Sequence, residues 1–329
     1  LSSHPETESA VHGVHSGPSR AVFMGTPNFA VPALDALEDC PDVEVVAVYT
    51  PPDRRRGRGQ NFEASPIKQR GEELGIPVAQ PRTFKDKEVV AELQGYRPDV
   101  IVVAAYGRLL PAEVLEIPPF GCLNLHPSLL PRHRGPSPVA GAILAGDRIT
   151  GVSLMLLDEG MDTGPIVAQR QREIGASDDA EALTGELFGA GASLLVETLP
   201  RWMNGSVAAA AQDGDLATYT TKLERADGLV DWGLSADILS RRQRAYTPWP
   251  GLYTRWRGKE VKLLDVIPLA GAGAEPGLVV ETDAAAIAIG TGEGLLVARR
   301  LQMEGRRATS DHEFLRGYPE FKGARLAYA

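Results

Sequence analysis

At 329 residues the chain is longer than one domain usually runs, so two domains are expected. With 43% hydrophobic and 23% charged residues it has an ordinary globular composition; no apolar run can span a bilayer, no secretory leader opens it, and a cytoplasmic location without membrane contact is expected. The formal net charge of −9 argues against coating nucleic acid by bulk electrostatics but allows a local basic face, and the two cysteines, Cys40 and Cys122, supply neither a disulfide framework nor a Cys-x-x-Cys metal site.

Residues 1–20, rich in Ser, His, Gly and Pro, read as a disordered tail in which His4, His12 and His15 have no role. Residues 21–24 form a short apolar strand, Gly25 opens a turn, and 29–37 have helical spacing; 43–50 supply a second buried strand. Gly25 has no second glycine at the offset of a dinucleotide fingerprint. Residues 51–59, Pro-Pro-Asp-Arg-Arg-Arg-Gly-Arg-Gly, form a loop carrying Arg54, Arg55, Arg56 and Arg58 against Asp53. Most short basic runs are solvated faces, but this one follows the carboxyl end of a strand, where ligands of open α/β sheets gather, and phosphate contact is favoured.

Ser65 caps a helix that has Pro66 at its first position and runs to residue 74. The most hydrophobic strand, 99–105, leads into Tyr106, Gly107, Arg108, Leu109, Leu110 and Pro111. Strands at 122–125 and 151–157 enclose a helix at 137–145, and Asp158 to Gly164 follow as a loop. This alternation specifies an α/β fold with a doubly wound, mostly parallel sheet whose chemistry-bearing loops leave strand ends on one side. An amphipathic helix at 180–199 is expected to stop at Pro200, and 207–220 reads as a connector. After a Ser235-capped helix to 245 and the break Thr247-Pro-Trp-Pro-Gly251, short strands at 252–257, 260–266, 277–282, 285–290 and 295–301 suggest a small β-barrel, with an oligonucleotide-binding type as one candidate. Arg241, Arg242, Arg244, Arg255, Arg257, Lys259 and Lys262 make a second basic cluster, against Glu260. The expected divisions are a tail at 1–20, a first domain at 21–206, a linker at 207–224 and a second domain at 225–329.

Chemistry concentrates in 121–135, Gly-Cys-Leu-Asn-Leu-His-Pro-Ser-Leu-Leu-Pro-Arg-His-Arg-Gly. Asn124 and His126 are two apart on a strand and share one face. His126 alone would read as a satisfied structural histidine. With Asp162 from a neighbouring loop the reading changes: Asn124 offers an amide donor, His126 can donate as imidazolium, and a carboxylate can hold that cation or take a proton. Such a set suits the oxyanion formed when an amine attacks an acyl carbonyl, where one well-placed donor contributes about 3 kcal/mol. No nucleophile elbow and no histidine-pair metal spacing accompany it.

Asn124-Leu-His126-Pro-Ser128-Leu129-Leu130-Pro131 with Asp158-Glu-Gly-Met-Asp162-Thr-Gly164 resembles the signature of the folate-dependent formyltransferases. The opening Phe23-Met-Gly-Thr-Pro-Asn-Phe-Ala30, the arginine loop with Ser65-Pro-Ile-Lys68, and Asp231-Trp232 with Pro248-Trp249-Pro250 are similar to the branch whose acceptor is methionyl-initiator tRNA. The resemblance runs from about residue 21 to the end. It implies a Rossmann-like catalytic domain and an oligonucleotide-binding-like second domain, with Asn124, His126 and Asp162 catalytic. The co-substrate would be 10-formyltetrahydrofolate, against Ser128, Leu129, Leu130, Pro131, Tyr106, Gly107, Arg108, Leu109, Leu110 and Asp158, with no metal. Contacts to tRNA would come from Arg54, Arg55, Arg56, Arg58, Arg241, Arg242, Arg244 and Lys259, and the chain would act as a monomer. Pro127 stands where the family often has a small residue and removes no donor the scheme uses. A formyltransferase acting on a small amine, a glycinamide ribonucleotide or an amino sugar, would share the trio but needs neither basic cluster nor second domain. A non-catalytic RNA-binding relative would not need all three.

Overall fold

The computed structural model describes residues 17–56, 61–271, 273–283 and 285–327. Strand β1 (Ser19–Gly25) begins inside the stretch expected as tail, because the polar pair that opens it is tied down. The Arg20 backbone N–H donates to Asp99 (2.7 Å) and its guanidinium to Tyr96 O and Glu44. A 3-10 turn at Asn28–Ala30 leads to α1 (Val31–Glu38) and then β2 (Val43–Tyr49). The arginine segment is a hairpin rather than a plain loop, β3 (Arg54–Arg56) pairing antiparallel with β4 (Asn61–Glu63). Helix α2 (Pro66–Glu73) is capped as expected, Ser65 Oγ accepting from Lys68 N–H. The succession continues with β5 (Val78–Ala79), α3 (Lys87–Gly95), β6 (Val100–Ala104), α4 (Ala112–Leu115), β7 (Cys122–His126), α5 (Pro138–Ala145), β8 (Ile149–Leu156) and β9 (Ile166–Glu173).

Seven strands join in the order β5-β2-β1-β6-β7-β8-β9. Pairing is parallel from β5 through β7, and β1, β2 and β6 are buried almost throughout, as strands covered on both faces must be. Strand β8 runs antiparallel to β7, with His126 opposite Ser153 and Leu123 opposite Leu156. The loop after β8 therefore leaves beside the start of β7, not from the carboxyl ends of the parallel strands as expected. Apolar periodicity carries no information on strand direction.

Helix α6 (Ala180–Met203) runs through Pro200 instead of stopping there. Proline in a last turn removes one donor and leaves the helix only a few residues to run; Asn204 N–H still bonds to Pro200 O. Helix α7 (Ala236–Ala245), with Ser235 accepting from Ile238 N–H, precedes β10 (Leu252–Trp256), β11 (Lys259–Leu269), β12 (Val279–Thr282), β13 (Ala285–Gly290), β14 (Leu295–Met303), β15 (Ala308–Ser310) and α8 (Asp311–Gly317). These strands form one antiparallel sheet, β10-β11-β14-β13-β12 with β15 on β14. Its core is built on the fully buried Trp232, with Trp256 edge-on to Phe321 at 5.1 Å.

The described residues form two compact units interleaved in sequence. One contains residues up to His126 with Ser153–Gln169 and Phe188–Gln212; the other contains Pro127–Val152, Arg170–Leu187 and the residues from Asp213 onward. Segments expected in the first domain thus pack with the second unit, where α5 lies against α7 and Val139, Ile143 and Leu183 share a cluster with Tyr246.

Candidate active site

Strand β7 alternates as a two-faced strand should: Leu123 and Leu125 point one way, and Cys122, Asn124 and His126 the other. His126 is 4% exposed and Asn124 half-buried. Asp162 reaches this face from the far end of the sheet because the loop after β8 doubles back. Asp158 organises the loop's first half, its Oδ1 accepting from Gly160 N–H (3.0 Å) and Thr163 Oγ–H (2.7 Å). Leu156 N–H bonds to Pro165 O, closing the neck so tightly that a Cβ on Gly164 would lie 2.0 Å from Leu156 O. At its apex Asp162 takes a left-handed backbone (φ +53°) and sets its Oδ1 3.6 Å from His126 Nδ1. The structure therefore brings His126 and Asp162 together on the face that carries Asn124.

The loops expected at the pterin are placed unevenly. The Tyr106 ring is buried in the core: it is 2% exposed, packs on Phe84, and burial pushes its phenol up to about 12. Its carbonyl holds Thr26 Oγ–H. Gly107 is exposed, Leu110 half-buried, and the Arg108 guanidinium bonds to Arg82 O. Leu109 at 88% and Met161 at 57% exposure are among the large hydrophobic side chains left in solvent, the kind of lining an aromatic ligand would cover. In the second unit Ser128 is fully buried with its hydroxyl donated to Arg132 O, and Leu130 is 4% exposed. Leu129 and Pro131 are half-buried, Leu129 lying where a side chain on Gly151 would have to go. Among the described residues no cluster of three or more His, Cys, Asp or Glu side chains is placed to hold a metal ion.

A family model described as formyl transferase matches residues 19–199, and one described as formyl transferase, C-terminal domain, matches residues 222–319. The chain belongs to the formyl transferase family. Methionyl-tRNA formyltransferase of Roseiflexus sp. (strain RS-1) is 46% identical over 314 residues, 95% of this chain and 96% of that protein. That of Thermus thermophilus is 44% identical over 93% of this chain and 99% of its own length. Among solved structures, an N-formyltransferase from Helicobacter canadensis in complex with folinic acid and dTDP-3-aminofucose superposes with a TM-score of 0.63 at 18% identity, over 85% of this chain and 98% of that one. HypX from Aquifex aeolicus in complex with tetrahydrofolic acid gives 0.59 at 22% identity over 93% of this chain, which spans about half (48%) of HypX. These two likenesses show the fold.

Two arginines of the second basic cluster in this formyl transferase family member are engaged by their neighbours. Arg58 lies outside the described residues, as do the side chains of Arg54, Arg55 and Arg56. Their hairpin is anchored at its base by Asp53, which accepts from Lys68 (2.8 Å) and Gln80 (2.7 Å). In the second cluster Arg244 turns inward, half-buried, to donate to Asp178 O at 2.9 Å, and burial lowers its pKa. Arg241 lies over the backbone of Gly146, its NH1 occupying the place of a Cβ there. Lys259 is exposed and Arg242 half-buried.

Sequence reasoning missed the connector's contribution to both signature loops. Gln212 donates to the carbonyls of Asp162 (2.9 Å) and Gly164 (2.6 Å). Thr218 accepts from His133 and Arg134 N–H, Thr220 bonds to Arg134 O and Ser137 N–H, and Tyr219 OH accepts from the Arg134 guanidinium. The available signal was Thr218-Tyr219-Thr220-Thr221, a β-branched and aromatic run unlike a free linker.

Proposed function

We propose that this formyl transferase family member carries the formyl group of 10-formyltetrahydrofolate to the α-amino group of methionyl-initiator tRNA. The observation that carries the reading is the Asp162 carboxylate 3.6 Å from His126 Nδ1, on the β7 face shared with Asn124. The folate supplies an activated formyl group. Attack of the amine on that carbon forms the new C–N bond and turns the formyl oxygen into an oxyanion, for which the Asn124 amide and the His126 ring are the donors; as the oxyanion collapses, the bond from that carbon to the folate N10 breaks and tetrahydrofolate leaves, its N10 taking up a proton in place of the formyl group. Asp162 holds the ring on its Nδ1 side and is the nearby base for the proton the attacking nitrogen releases. Burial of His126 strengthens these electrostatic terms relative to water. Leu109 and Met161 offer apolar cover to the pterin. For the acceptor, the reading is supported by relatives named methionyl-tRNA formyltransferase that match over more than nine-tenths of this chain. The arginine hairpin, Arg242 and Lys259 would meet the tRNA backbone, in the cytoplasm where aminoacylated tRNA is used.

The test is a competition: the protein, 10-formyltetrahydrofolate and methionyl-initiator tRNA, with glycinamide ribonucleotide as rival acceptor. Formylmethionyl-tRNA is the expected product, and preferential formylation of the small amine overturns the assignment. Asn124→Ala and His126→Ala should each lower kcat by roughly 10²–10³-fold while tRNA binding changes little. Near-wild-type turnover in either removes that residue from the oxyanion site.

A further inference from the structure

Gln212 lies in the gap between the two family matches, which end at residue 199 and resume at 222. Its amide nitrogen nevertheless donates to the carbonyls of Asp162 and Gly164. An amide NH₂ has two hydrogens, and both are used on the loop that presents the Asp162 carboxylate, one at its apex and one at its neck. The backbone that carries Gln212 is fixed as well, since Ala210 and Ile166 exchange a pair of 2.8 Å hydrogen bonds at the start of β9. Asp162 needs such a hold. A non-glycine residue at φ +53° occupies a sparsely populated conformation that persists only where its surroundings enforce it. Asp158 and Gly164 restrain the start and the neck of the loop, and Gln212 restrains the Asp162–Thr163 and Gly164–Pro165 peptides.

We propose that Gln212 is a positioning residue for formyl transfer, its amide locking the Asp162 peptide so that the carboxylate faces His126. This rests on the role given to Asp162 above. Loss of the lock lets the apex relax, and the carboxylate moves off the imidazole. A displacement of about 1 Å in such a pair costs on the order of 10²-fold in rate. Substrate affinity is untouched, because Gln212 acts through Asp162.

In the full-length protein, Gln212→Ala and Gln212→Glu test the assignment together. Glutamate keeps the shape but turns a carboxylate oxygen towards two carbonyls. Both variants should lose roughly 10–10²-fold in kcat, with the KM for methionyl-tRNA within about twofold and the thermal midpoint nearly unchanged. Amide hydrogen exchange in 158–164 should accelerate in both. The decisive reading is a double-mutant cycle with Asp162→Asn: adding Gln212→Ala to that variant should cost less than about threefold more, because one unit has been removed twice. A kcat within twofold of wild type in both single variants, or losses that multiply in full, overturns the proposal. If Asp162→Asn itself turns over at the wild-type rate, the site reading beneath it has failed; a slow Asp162→Asn beside an unimpaired Gln212→Ala overturns the positioning role alone.

Discussion

Cys122 stands two residues from Asn124 and four from His126 on the same face of β7, so a thiol nucleophile is the alternative chemistry this strand invites. Its surroundings argue against it. Cys122 is 1% exposed, packs among Met24, Tyr106 and Val114, and burial pushes its thiol up to about 12. A thiol in that state carries almost no thiolate at neutral pH. Iodoacetamide should therefore label the half-buried Cys40 of the native protein and leave Cys122 unmodified until denaturant is added; mass spectrometry showing equal labelling would restore Cys122 as a candidate nucleophile. Asn124 and His126 could be read from sequence because a strand's period of two puts them on one face. Gln212 could not, because its partners are backbone carbonyls, which leave no pattern in side-chain identity. Arg244 reads as part of a basic face for the same kind of reason: its position on a basic helix is visible in sequence, its hydrogen bond to Asp178 O is not.

The β3–β4 hairpin shows how an element is fixed by residues outside it. Asp53 enters it from one side, and Lys68 of α2 with Gln80 beyond β5 receive its carboxylate. The hydrogen bond from Lys68, then that from Gln80, hold the Asp53 carboxyl below its ordinary value, and Asp53 in turn raises Lys68. A depressed carboxylate contributes stability above its unfolded-state pKa, and that contribution fades as pH falls through the lower folded value. A raised lysine contributes below its unfolded pKa and loses the contribution as pH climbs through the folded one. The anchor is thus intact between roughly pH 4 and 10. NMR titration should place the Asp53 midpoint below that of a free aspartate, and Lys68→Met should return it most of the way; an unshifted midpoint in the wild type would mean the pair does not persist in solution. Among elements, the buried strands β1, β2 and β6 and the C-terminal strands were legible from apolar runs and turns. Strand β9 was not, since its Gln169-Arg170-Gln171-Arg172-Glu173 end is a half-exposed edge with little apolar content, nor was the antiparallel setting of β8.

For the whole molecule, stability rests on separate clusters in interleaved units. In the second unit Trp232 is fully buried at the centre, its indole N–H without a hydrogen-bond partner. Trp232→Ala should cost about 3–5 kcal/mol in equilibrium unfolding followed by near-UV circular dichroism, and Trp232→Phe distinctly less, because phenylalanine keeps most of the packing and strands no donor. A loss under 1 kcal/mol for the alanine variant would show that the cluster does not depend on this side chain. The connector between the two family matches makes the chain harder to divide than the matches imply. Residues 207–220 read as a tether, yet they supply the amide that grips the Asp162 loop and the threonines that stitch down residues 133–137. A chain cut after Met203 would retain Asn124, His126, Ser128 and Asp162 and still lack the hydrogen bonds that set two of its loops. Domain transplantation in this family member has to carry the strap along with the signature.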